Sequence, residues 1–302
     1  MPSKALVEIA GRELKLSNLD KVFYPATGFT KGEMIDYYLR VAPGLLPHLA
    51  GRPVTLKRYP GGADADFFYQ KECPAHRPAW LTTAPVWSEG NSRDVNYCLL
   101  EDLPALAWAA NLAALELHTS LSCACDPATP TSLVCDLDPG PPAAILECAQ
   151  VALWLRDLFA HHDLKSYPKT SGSKGLQVYL PLNSAAGYDQ TKTFAHAVAQ
   201  LLEKQHPDMV VSNMRKELRA GKIFVDWSQN DEHKTTVCVY SLRARERPLV
   251  STPVTWDEVE TAWQNGDAGR LAFEAPQVLE RLEKLGDLFA PVLSVRQKLP
   301  AL

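Results

Sequence analysis

Two aspartates one residue apart end an apolar segment near the middle of the chain. Residues 132–140 read Ser-Leu-Val-Cys-Asp-Leu-Asp-Pro-Gly, so Asp136 and Asp138 directly precede a Pro-Gly pair. Side chains alternate along a β-strand, which places both carboxylates on one face, about 6–7 Å apart. Like charges repel at this distance unless a cation lies between them, and divalent cations bind carboxylate oxygens. The segment alone leaves a metal site and an ordinary strand end equally open.

Two further segments carry compatible residue types. Residues 222–227 form a second apolar segment that contains Asp226 near its end. Residues 169–176 read Lys-Thr-Ser-Gly-Ser-Lys-Gly-Leu, a glycine-containing turn whose backbone N–H groups, hydroxyls and lysine suit a phosphate. The turn lacks the spacing of a Walker loop. Together these segments predict metal-assisted chemistry on a nucleotide, with two cations holding the attacking and the leaving oxygen.

The motifs Asp136-Leu-Asp138, Thr170-Ser-Gly-Ser-Lys-Gly175 and Val225-Asp226 resemble, in order and spacing, the three motifs of the archaeo-eukaryotic primase superfamily. More narrowly, the chain resembles from about Leu16 to Pro300 the polymerase domain of bacterial ATP-dependent DNA ligase D. The resemblance implies an α+β, primase-like fold in which two mixed or antiparallel sheets flank a catalytic cleft, with helices outside. It also implies a single domain over 1–302, with an N-terminal lobe at about 1–110 and a catalytic lobe at about 111–290.

The resemblance implies a template-directed nucleotidyltransferase, a DNA polymerase or primase-polymerase of non-homologous end joining. Such an enzyme extends primer 3′-ends at 5′-phosphorylated gaps or overhangs. It uses two divalent metal ions, Mn²⁺ or Mg²⁺, and a nucleoside triphosphate, with a preference for ribonucleotides. The implied partners are DNA ends, Ku and an ATP-dependent DNA ligase, fused or separate. No ligase-type Lys-x-Asp-Gly motif occurs in the 302 residues.

The resemblance also implies a role for individual side chains. Asp136, Asp138 and Asp226 would bind the metals, with His118 near the reaction centre. The DNA would contact Lys21 and Lys31, which match a pocket for a 5′-phosphate, and the stacking rings of Phe67 and Phe68. The nucleotide would contact Ser171, Gly172, Ser173, Lys174, Lys57, Arg58, Gln229, Arg243 and Arg245. Many members of the family carry a histidine where this chain has Gln177, so the role of that position stays open.

Other interpretations fit the residues alone. Without the resemblance, the lysines and arginines are solvated surface residues and His118 is a histidine of the core. An Asp-x-Asp pair with manganese also serves nucleotide-sugar transferases, a chemistry that requires neither Asp226 nor the Lys21 and Lys31 pair. A third possibility is a DNA end-bridging module whose catalysis is dispensable.

The composition is that of an ordinary globular chain, with 46% hydrophobic and 22% charged residues. A net charge of −4 argues against general coating of nucleic acid and favours local basic patches. No apolar run approaches the ~20 residues that span a bilayer, so we expect no membrane partner and a cytoplasmic location at the bacterial nucleoid. Seven scattered cysteines predict reduced, buried thiols, although Cys73, His76, Cys123 and Cys125 could bind zinc if they met.

Periodicity and breaker residues predict the elements that position these side chains. Strands are expected at 5–10, 53–58, 66–70, 95–100, 113–118, 132–138, 164–169, 176–182, 222–227 and 235–241. Helices are expected at 31–50 with a break at Pro43, at 104–111 capped by Asp102, and at 142–161, 189–205, 212–220, 256–265 and 275–285. Residues 288–302 are expected to be irregular. Strands and helices in this order, without a regular βαβ rhythm, indicate mixed or antiparallel sheets with helices outside.

Overall fold

The computed structural model describes residues 4–300, and all elements named below lie in that range. The β-strands are β1 Lys4–Ile9, β2 Arg12–Ser17, β3 Val22–Tyr24, β4 Phe29–Thr30, β5 Val54–Arg58, β6 Phe68–Gln70, β7 Thr83–Ser88, β8 Arg93–Cys98, β9 Ala114–Thr119, β10 Ser122–Cys123, β11 Asp126–Pro130, β12 Ser132–Pro139, β13 Tyr167–Thr170, β14 Leu176–Pro181, β15 Val210–Val211, β16 Ile223–Asp226 and β17 Thr236–Val237. The α-helices are α1 Lys31–Leu49, α2 Leu103–Asn111, α3 Ile145–His161, α4 Tyr188–Gln205, α5 Trp256–Asn265, α6 Ala275–Leu285 and α7 Pro291–Ser294.

The chain forms two compact units, each assembled from three separate segments. The first comprises the chain up to Cys125 together with Thr235–Val250 and Glu274–Gly286. The second comprises Asp126–Lys234, Ser251–Phe273 and the chain from Asp287 onward. The predicted single domain, with lobes near 1–110 and 111–290, stays a prediction.

A six-stranded antiparallel sheet is the centre of the first unit. Its strand order is β17-β9-β5-β8-β7, with β6 paired to β5. The helices α1, α2 and α6 belong to this unit, and α1 packs against the other two. The pairing of β5 with β9 places Lys57 opposite Glu116 and Thr55 opposite His118. Glu116 and His118, two residues apart on β9, therefore lie on one face of the sheet.

Helix α1 shows how packing overrides a helix breaker. Thr30 and Glu33 form a capping box at its first turn, which satisfies two of its exposed donors. The predicted break at Pro43 is wrong, because one helix runs through both Pro43 and Pro47. Proline removes one backbone hydrogen bond, but the buried apolar face of this long helix offsets that loss.

A five-stranded mixed sheet is the centre of the second unit. Its order is β13-β14-β12-β16-β15, and only the edge pair β15 and β16 is parallel. Strand β12 lies in the middle and is paired on both sides. The side chains of Leu133, Cys135 and Leu137 point to an apolar core that includes residues of α3 and α4. The opposite face of the same strand carries Asp136 and Asp138.

Most predicted elements are confirmed with shifted ends, including the Asp102 cap of α2 and the hairpin that contains Ser171. The predicted helix at 212–220 is wrong, since only a 3-10 turn at Lys216–Leu218 forms there. The strand predicted at 235–241 is shorter, and the region expected to be irregular contains α7. Strands β2, β3, β4, β7, β10, β11 and β15 were not predicted. Five of them have two to five residues, whereas β2 and β7 have six residues each and pair with β1 and β8.

The alternative of a zinc site at Cys73, His76, Cys123 and Cys125 is not supported. Cys73 forms a disulfide bond with Cys98, which also corrects the prediction that all thiols are reduced. The free thiols of Cys135, Cys148 and Cys238 are buried, as expected. Cys123 is half-buried and Cys125 is exposed. Within residues 4–300, no helix is long and apolar enough to cross a membrane.

Candidate active site

Four polar side chains lie level with one another across the sheet of the second unit. Asp136 on β12 pairs with Gln177 on β14 and with Asp226 on β16, and Gln177 in turn pairs with Lys169 on β13. Register partners in antiparallel strands project to the same face. The strand register therefore brings the carboxylates of Asp136 and Asp226 together, with Gln177 on the other side of Asp136.

Asp138 extends this row by a third carboxylate. It lies two residues beyond Asp136 on the same face of β12 and is exposed, whereas Asp226 is buried. Pro139 and Gly140 follow directly, and a side chain at Gly140 would overlap the carbonyl oxygen of Arg219. Only glycine allows that close approach, which fixes the path of the chain just after the carboxylates.

The electrostatics of the row are unfavourable without a cation. Burial, followed by the charge of Asp138, raises the pKa of Asp136 to about 7, and the charge of Asp226 acts in the same direction. A hydrogen bond from Gln177 and the charge of Lys169 oppose that rise. Lys169 is fully buried and donates a hydrogen bond of 2.7 Å to Ser251 Oγ. A bound cation would relieve the repulsion within such a partly buried group of like charges.

The Asp226 carboxylate is held by the residues that follow it. Its Oδ1 accepts hydrogen bonds from Ser228 N at 3.0 Å and from Ser228 Oγ at 2.5 Å, and its Oδ2 accepts one from Gln229 Nε2 at 3.0 Å. Lys234 Nζ lies 2.6 Å from Ser228 Oγ. Because an ammonium group only donates, the Ser228 hydroxyl must accept from Lys234 and donate to Asp226.

A buried asparagine ties this turn to β12. Asn230 Oδ1 accepts a hydrogen bond from Val134 N at 2.9 Å, and its Nδ2 donates to Val134 O at 2.8 Å. The side-chain amide thus pairs with the backbone of β12 as a strand residue would. Val134 lies two residues before Asp136, so Asn230 fixes the turn after Asp226 relative to the strand that carries the other two carboxylates.

The turn between β13 and β14 lies beside these carboxylates. Ser171 Oγ accepts hydrogen bonds of 3.2 Å from the backbone N–H groups of Ser173 and Gly175, so this hydroxyl shapes the turn. A side chain at Gly175 would overlap the carbonyl oxygen of Leu137, the residue between Asp136 and Asp138. Gly172 has a positive φ of 65°, which favours glycine. Lys174 is exposed at the tip of the turn.

The donor set fits divalent cations in chemistry, although the side chains are not arranged as a closed site. Among residues 4–300, no group of three or more His, Cys, Asp or Glu side chains forms a set that could hold a metal ion. The oxygens of Asp226 instead accept hydrogen bonds from Ser228 and Gln229. Three carboxylates on one face, with the pKa of the half-buried Asp136 raised, nevertheless supply the oxygen ligands that a hard cation prefers.

A second polar cluster occupies the sheet of the first unit, around the buried carboxylate of Glu116. Its Oε2 lies 2.9 Å from His118 Nε2 and 3.3 Å from Arg243 Nε, and its Oε1 lies 3.5 Å from Lys57 Nζ. Tyr59 Oη and the backbone N–H of Ala244 donate to the same Oε1. Lys57, His118 and Arg243 were predicted as site residues. All three contact Glu116, which was not predicted.

Charge balance in this cluster is reflected in its pKa values. Burial alone would raise the pKa of Glu116, but the hydrogen bond from His118 and the charges of Arg243 and Lys57 hold it well below its usual value. Burial lowers the pKa of His118 and of Lys57, and Glu116 opposes both shifts. Burial and the charge of Arg243 also lower the pKa of Arg245, which places Arg245 near the cluster.

Aromatic rings surround the basic side chains of β5. Lys57 Nζ lies 4.1 Å from the ring centroid of Phe67 and 5.5 Å from that of Tyr69. Phe68, on the opposite face of β6, lies against the guanidinium group of Arg58 at 5.0 Å. Phe67 and Phe68 are 49% and 46% exposed, so both rings are accessible for stacking. Arg58 also donates 2.7 Å hydrogen bonds to Leu112 O and Gln70 Oε1.

Lys21 and Lys31 lie near each other, as the predicted phosphate pocket requires. Burial, followed by the charge of Lys21, lowers the pKa of Lys31 to about 8. Lys31 Nζ donates to Ser17 O at 2.7 Å and to Asn111 Oδ1 at 2.9 Å, and Lys21 Nζ donates to Pro60 O. The backbone N–H groups of Lys31 and Gly32 donate to the carbonyl oxygens of Lys21 and Leu19, so they do not add to anion binding.

Comparison with known proteins decides the family. A family model described as the LigD primase-polymerase domain matches residues 30–289. The chain belongs to the LigD primase-polymerase domain family. The predicted enzyme class, nucleotidyltransferase, follows from this membership.

Relatives of this LigD domain cover almost all of the chain. The multifunctional non-homologous end joining protein LigD of Mycolicibacterium smegmatis is 41% identical over 92% of this chain and 36% of its own length. The bifunctional LigD protein of Bacillus subtilis is 31% identical over 91% of this chain and 43% of its own length. The chain thus spans less than half the length of these curated relatives.

A solved structure supports the fold of this LigD domain. The polymerase domain of Mycobacterium tuberculosis ligase D, in complex with DNA, matches with a TM-score of 0.86 and 40% sequence identity. The match covers 94% of this chain and 99% of that one. It confirms the predicted α+β, primase-like fold.

Several residues of the LigD domain's two polar clusters were not predicted. Glu116, Asn230, Ser228 and Lys234 were not among the predicted site residues. The Glu-x-His spacing of Glu116 and His118 on one strand was a usable signal, because it places both on one face. Asn230 gave no such signal, since its partners are backbone atoms of a distant strand.

Proposed function

We propose that this LigD domain adds nucleotides to primer 3′-ends, directed by a template, at 5′-phosphorylated gaps or overhangs during non-homologous end joining. The observation that carries this proposal is the alignment of Asp136 and Asp226 on neighbouring strands, with Asp138 on the same face, in a member of a polymerase family. The family assignment replaces the alternative of a nucleotide-sugar transferase.

In this proposal, Asp136, Asp138 and Asp226 hold two divalent cations, Mn²⁺ or Mg²⁺. When bound, these cations would lower the pKa of the primer hydroxyl and neutralise charge as it develops on the triphosphate. Ser228, Gln229 and Asn230 orient the carboxylate of Asp226 and its strand. The turn at Ser171, Gly172, Ser173 and Lys174 would contact phosphate oxygens through its hydroxyl groups and the exposed ammonium group of Lys174.

The basic residues of the first unit would contact the remaining charged groups of the substrates. Lys57, Arg58, Arg243 and Arg245 are assigned to the nucleotide, and His118 to the nucleotide sugar or the primer end. Gln229 of the second unit is also assigned to the nucleotide. Lys21 and Lys31 would bind the 5′-phosphate of the DNA, while Phe67 and Phe68 would stack on template bases. Stacking on an aromatic ring contributes about 1–3 kcal/mol per base.

The partners follow from the same function. An enzyme that fills gaps between broken ends needs a protein that holds the ends and a ligase that seals them. We therefore propose Ku and an ATP-dependent DNA ligase as partners, with the work done on chromosomal DNA in the bacterial nucleoid. The relatives are multidomain LigD proteins, which supports a ligase that is fused to this domain or works beside it.

Primer extension tests the proposal directly. The protein is incubated with a labelled, gapped duplex that carries a 5′-phosphate, with Mn²⁺ and with each ribonucleotide or deoxyribonucleotide in turn. We expect addition of one or a few templated nucleotides, faster with ribonucleotides. Asp138→Ala should lose activity by on the order of 10³-fold or more while its circular dichroism is unchanged.

Asp208→Ala, which removes an exposed carboxylate outside the row, serves as the control and should keep full activity. Undiminished addition by Asp138→Ala would overturn the assignment of the carboxylates. Tight binding of phosphorylated DNA by the wild type without nucleotide addition would favour an end-bridging module and overturn the proposed activity.

A further inference from the structure

We propose that Glu116 is a positioning residue for nucleotide binding. Its buried carboxylate holds Lys57, Arg243 and His118 in one fixed array, in which Lys57 and Arg243 receive the phosphate groups of a nucleoside triphosphate. The inference rests on the proposed function and adds to it a residue that has no role in the assignments above.

The contacts of Glu116 are those of an anchor. Its side chain is 2% exposed, and both carboxylate oxygens are occupied. Oε1 accepts from Tyr59 Oη at 3.3 Å and from Ala244 N at 3.1 Å and lies beside Lys57, and Oε2 lies beside His118 and Arg243. Since this one carboxylate contacts three separate segments of the chain, its loss would release all of the cationic groups together.

The strand register explains why the cluster is rigid. Lys57 and Glu116 are direct partners on β5 and β9, and His118 lies two residues further along β9 on the same face. Arg243 comes from a different segment, whose backbone is tied to the same carboxylate through Ala244 N. The sheet therefore fixes the position of the Glu116 carboxylate, and a hydrogen bond from Ala244 N holds the segment that carries Arg243 against this carboxylate.

The charge of the cluster points to an anionic ligand. Lys57, Arg243 and Arg245 are three cationic side chains around a single carboxylate, so the cluster keeps a net positive charge. Burial lowers the pKa of Lys57, and the positive charges of Arg243 and Arg245 act in the same direction, so the cationic side chains repel one another. A polyanion would relieve this repulsion, and the phosphates of a nucleotide supply several oxygens for the same donors.

The cations are also restricted before any ligand binds. Lys57 is only 12% exposed, because it lies between Glu116 and the rings of Phe67 and Tyr69. Arg243 is 16% exposed. Long basic side chains normally lose rotamer entropy on binding, and here Glu116 has already imposed that loss. Preorganised charges of this kind bind an anion more tightly than mobile ones.

A purely structural role for Glu116 makes a different prediction. In that case its replacement would lower the free energy of unfolding but leave the nucleotide affinity of the folded protein unchanged. The test therefore measures both quantities. The probe is ATP with Mn²⁺ in the absence of DNA, so that binding is measured by calorimetry without turnover, and stability is measured by thermal unfolding.

Glu116→Gln keeps the shape of the side chain and removes its charge. We expect the Kd for ATP to rise about 10- to 100-fold in the folded variant, since misplacement of binding groups by about 1 Å has effects of this size. The pKa of His118, followed by NMR, should fall further, because Glu116 now opposes its lowering. Glu72→Gln, which frees the exposed Arg93 from its ion pair, is the matched control and should change Kd less than about twofold.

A second comparison covers the case in which the single variant Glu116→Gln does not fold. Lys57→Met combined with Glu116→Gln removes an ion pair as a unit and is compared with Lys57→Met alone. We expect the double variant to bind ATP at least about threefold more weakly, because Arg243 and His118 lose their anchor. Equal ATP affinities in this comparison, or an unchanged Kd in folded Glu116→Gln, would overturn the inference. Failure of the wild type to bind ATP would instead overturn the proposed function on which it rests.

Discussion

Asp136 and Asp226 lie directly opposite each other on adjacent antiparallel strands, although the chain between them forms α3, a β-hairpin and α4. Two acidic residues in this arrangement repel, and like charges opposite each other destabilise a sheet. The sheet nevertheless keeps them level, and Asp138 adds a third charge on the same face. A fold that concentrates negative charge at one point of its central strands gains stability when a cation binds there.

The first prediction concerns the pH dependence of metal binding. Folding raises the pKa of Asp136 to about 7. Between about pH 4 and pH 7 the folded protein therefore binds this proton more tightly than the unfolded chain, and the stabilisation from this group is lost as the pH rises through 7. Protons and Mn²⁺ compete for the same carboxylate. We expect Mn²⁺ to raise Tm by several degrees at pH 8 and by much less at pH 5.5.

Thermal unfolding with and without Mn²⁺ across this range is the measurement, and Asp136→Asn is the control. Asparagine cannot titrate, so the variant should lose most of the pH dependence of the Mn²⁺ effect. A Mn²⁺ effect on Tm that is independent of pH in the wild type would contradict the role of Asp136.

The second prediction concerns the two hydrogen bonds between the side-chain amide of Asn230 and the backbone of Val134. Asn230→Ala leaves the N–H and C=O groups of Val134, on the buried strand β12, without their side-chain partner. An unsatisfied buried group costs about 1–3 kcal/mol, so we expect the free energy of unfolding to fall by about that amount. Urea denaturation measures it. Asn91→Ala removes an exposed hydrogen bond to Ser88 and should change stability by less than about 0.5 kcal/mol.

The sequence alone predicted the three carboxylates of the candidate site, but it did not predict the side chains that hold them in place. Short apolar segments predicted the strands that carry Asp136, Asp138 and Asp226, because such a run is visible within one stretch of sequence. The pairing of those strands came from the resemblance to a family, since no local pattern states which strands are neighbours. Asn230 and Lys234 were missed because their partners are a backbone and a hydroxyl, which leave no trace in residue spacing.

Packing explains the errors in the fold. The prediction broke α1 at Pro43 because proline is unfavourable in an isolated helix, whereas here the buried face of the helix holds it together. The turn around Lys216–Leu218 has residues with good helix propensity, yet it forms only one 3-10 turn. Short helices need tertiary contacts to form, and Met214 and Leu218 are exposed there instead of packed.

The third prediction concerns the chain of hydrogen bonds from Lys234 through Ser228 to Asp226. Lys234→Met removes the donor that makes the Ser228 hydroxyl point to Asp226. Groups that orient a metal ligand typically contribute 10- to 100-fold in metal affinity, so we expect about a 10-fold weaker affinity for Mn²⁺. Electron paramagnetic resonance of free Mn²⁺ measures this without turnover. Lys204→Met, an exposed lysine at the end of α4, should leave the affinity unchanged, and equal losses in both variants would contradict the prediction.

The last prediction concerns the recognition of a 5′-phosphate by Lys31. Burial and the charge of Lys21 lower the pKa of Lys31 to about 8, so its ammonium group loses its proton as the pH rises through that value. A neutral amine does not attract a phosphate. We expect the preference for 5′-phosphorylated over 5′-hydroxyl DNA ends to be strong at pH 7 and to shrink by pH 9, as measured by fluorescence anisotropy.

Lys31→Met should abolish both the preference and its dependence on pH, because the titrating group is gone. Lys284→Met removes an exposed lysine that pairs with Glu280, and it should behave as the wild type does. The buried position of Lys31 decides the outcome, since an exposed lysine would stay charged up to about pH 10 and give no change between pH 7 and 9. If the wild type kept the same preference for 5′-phosphorylated ends from pH 7 to pH 9, a group other than Lys31 would be the one that binds the phosphate.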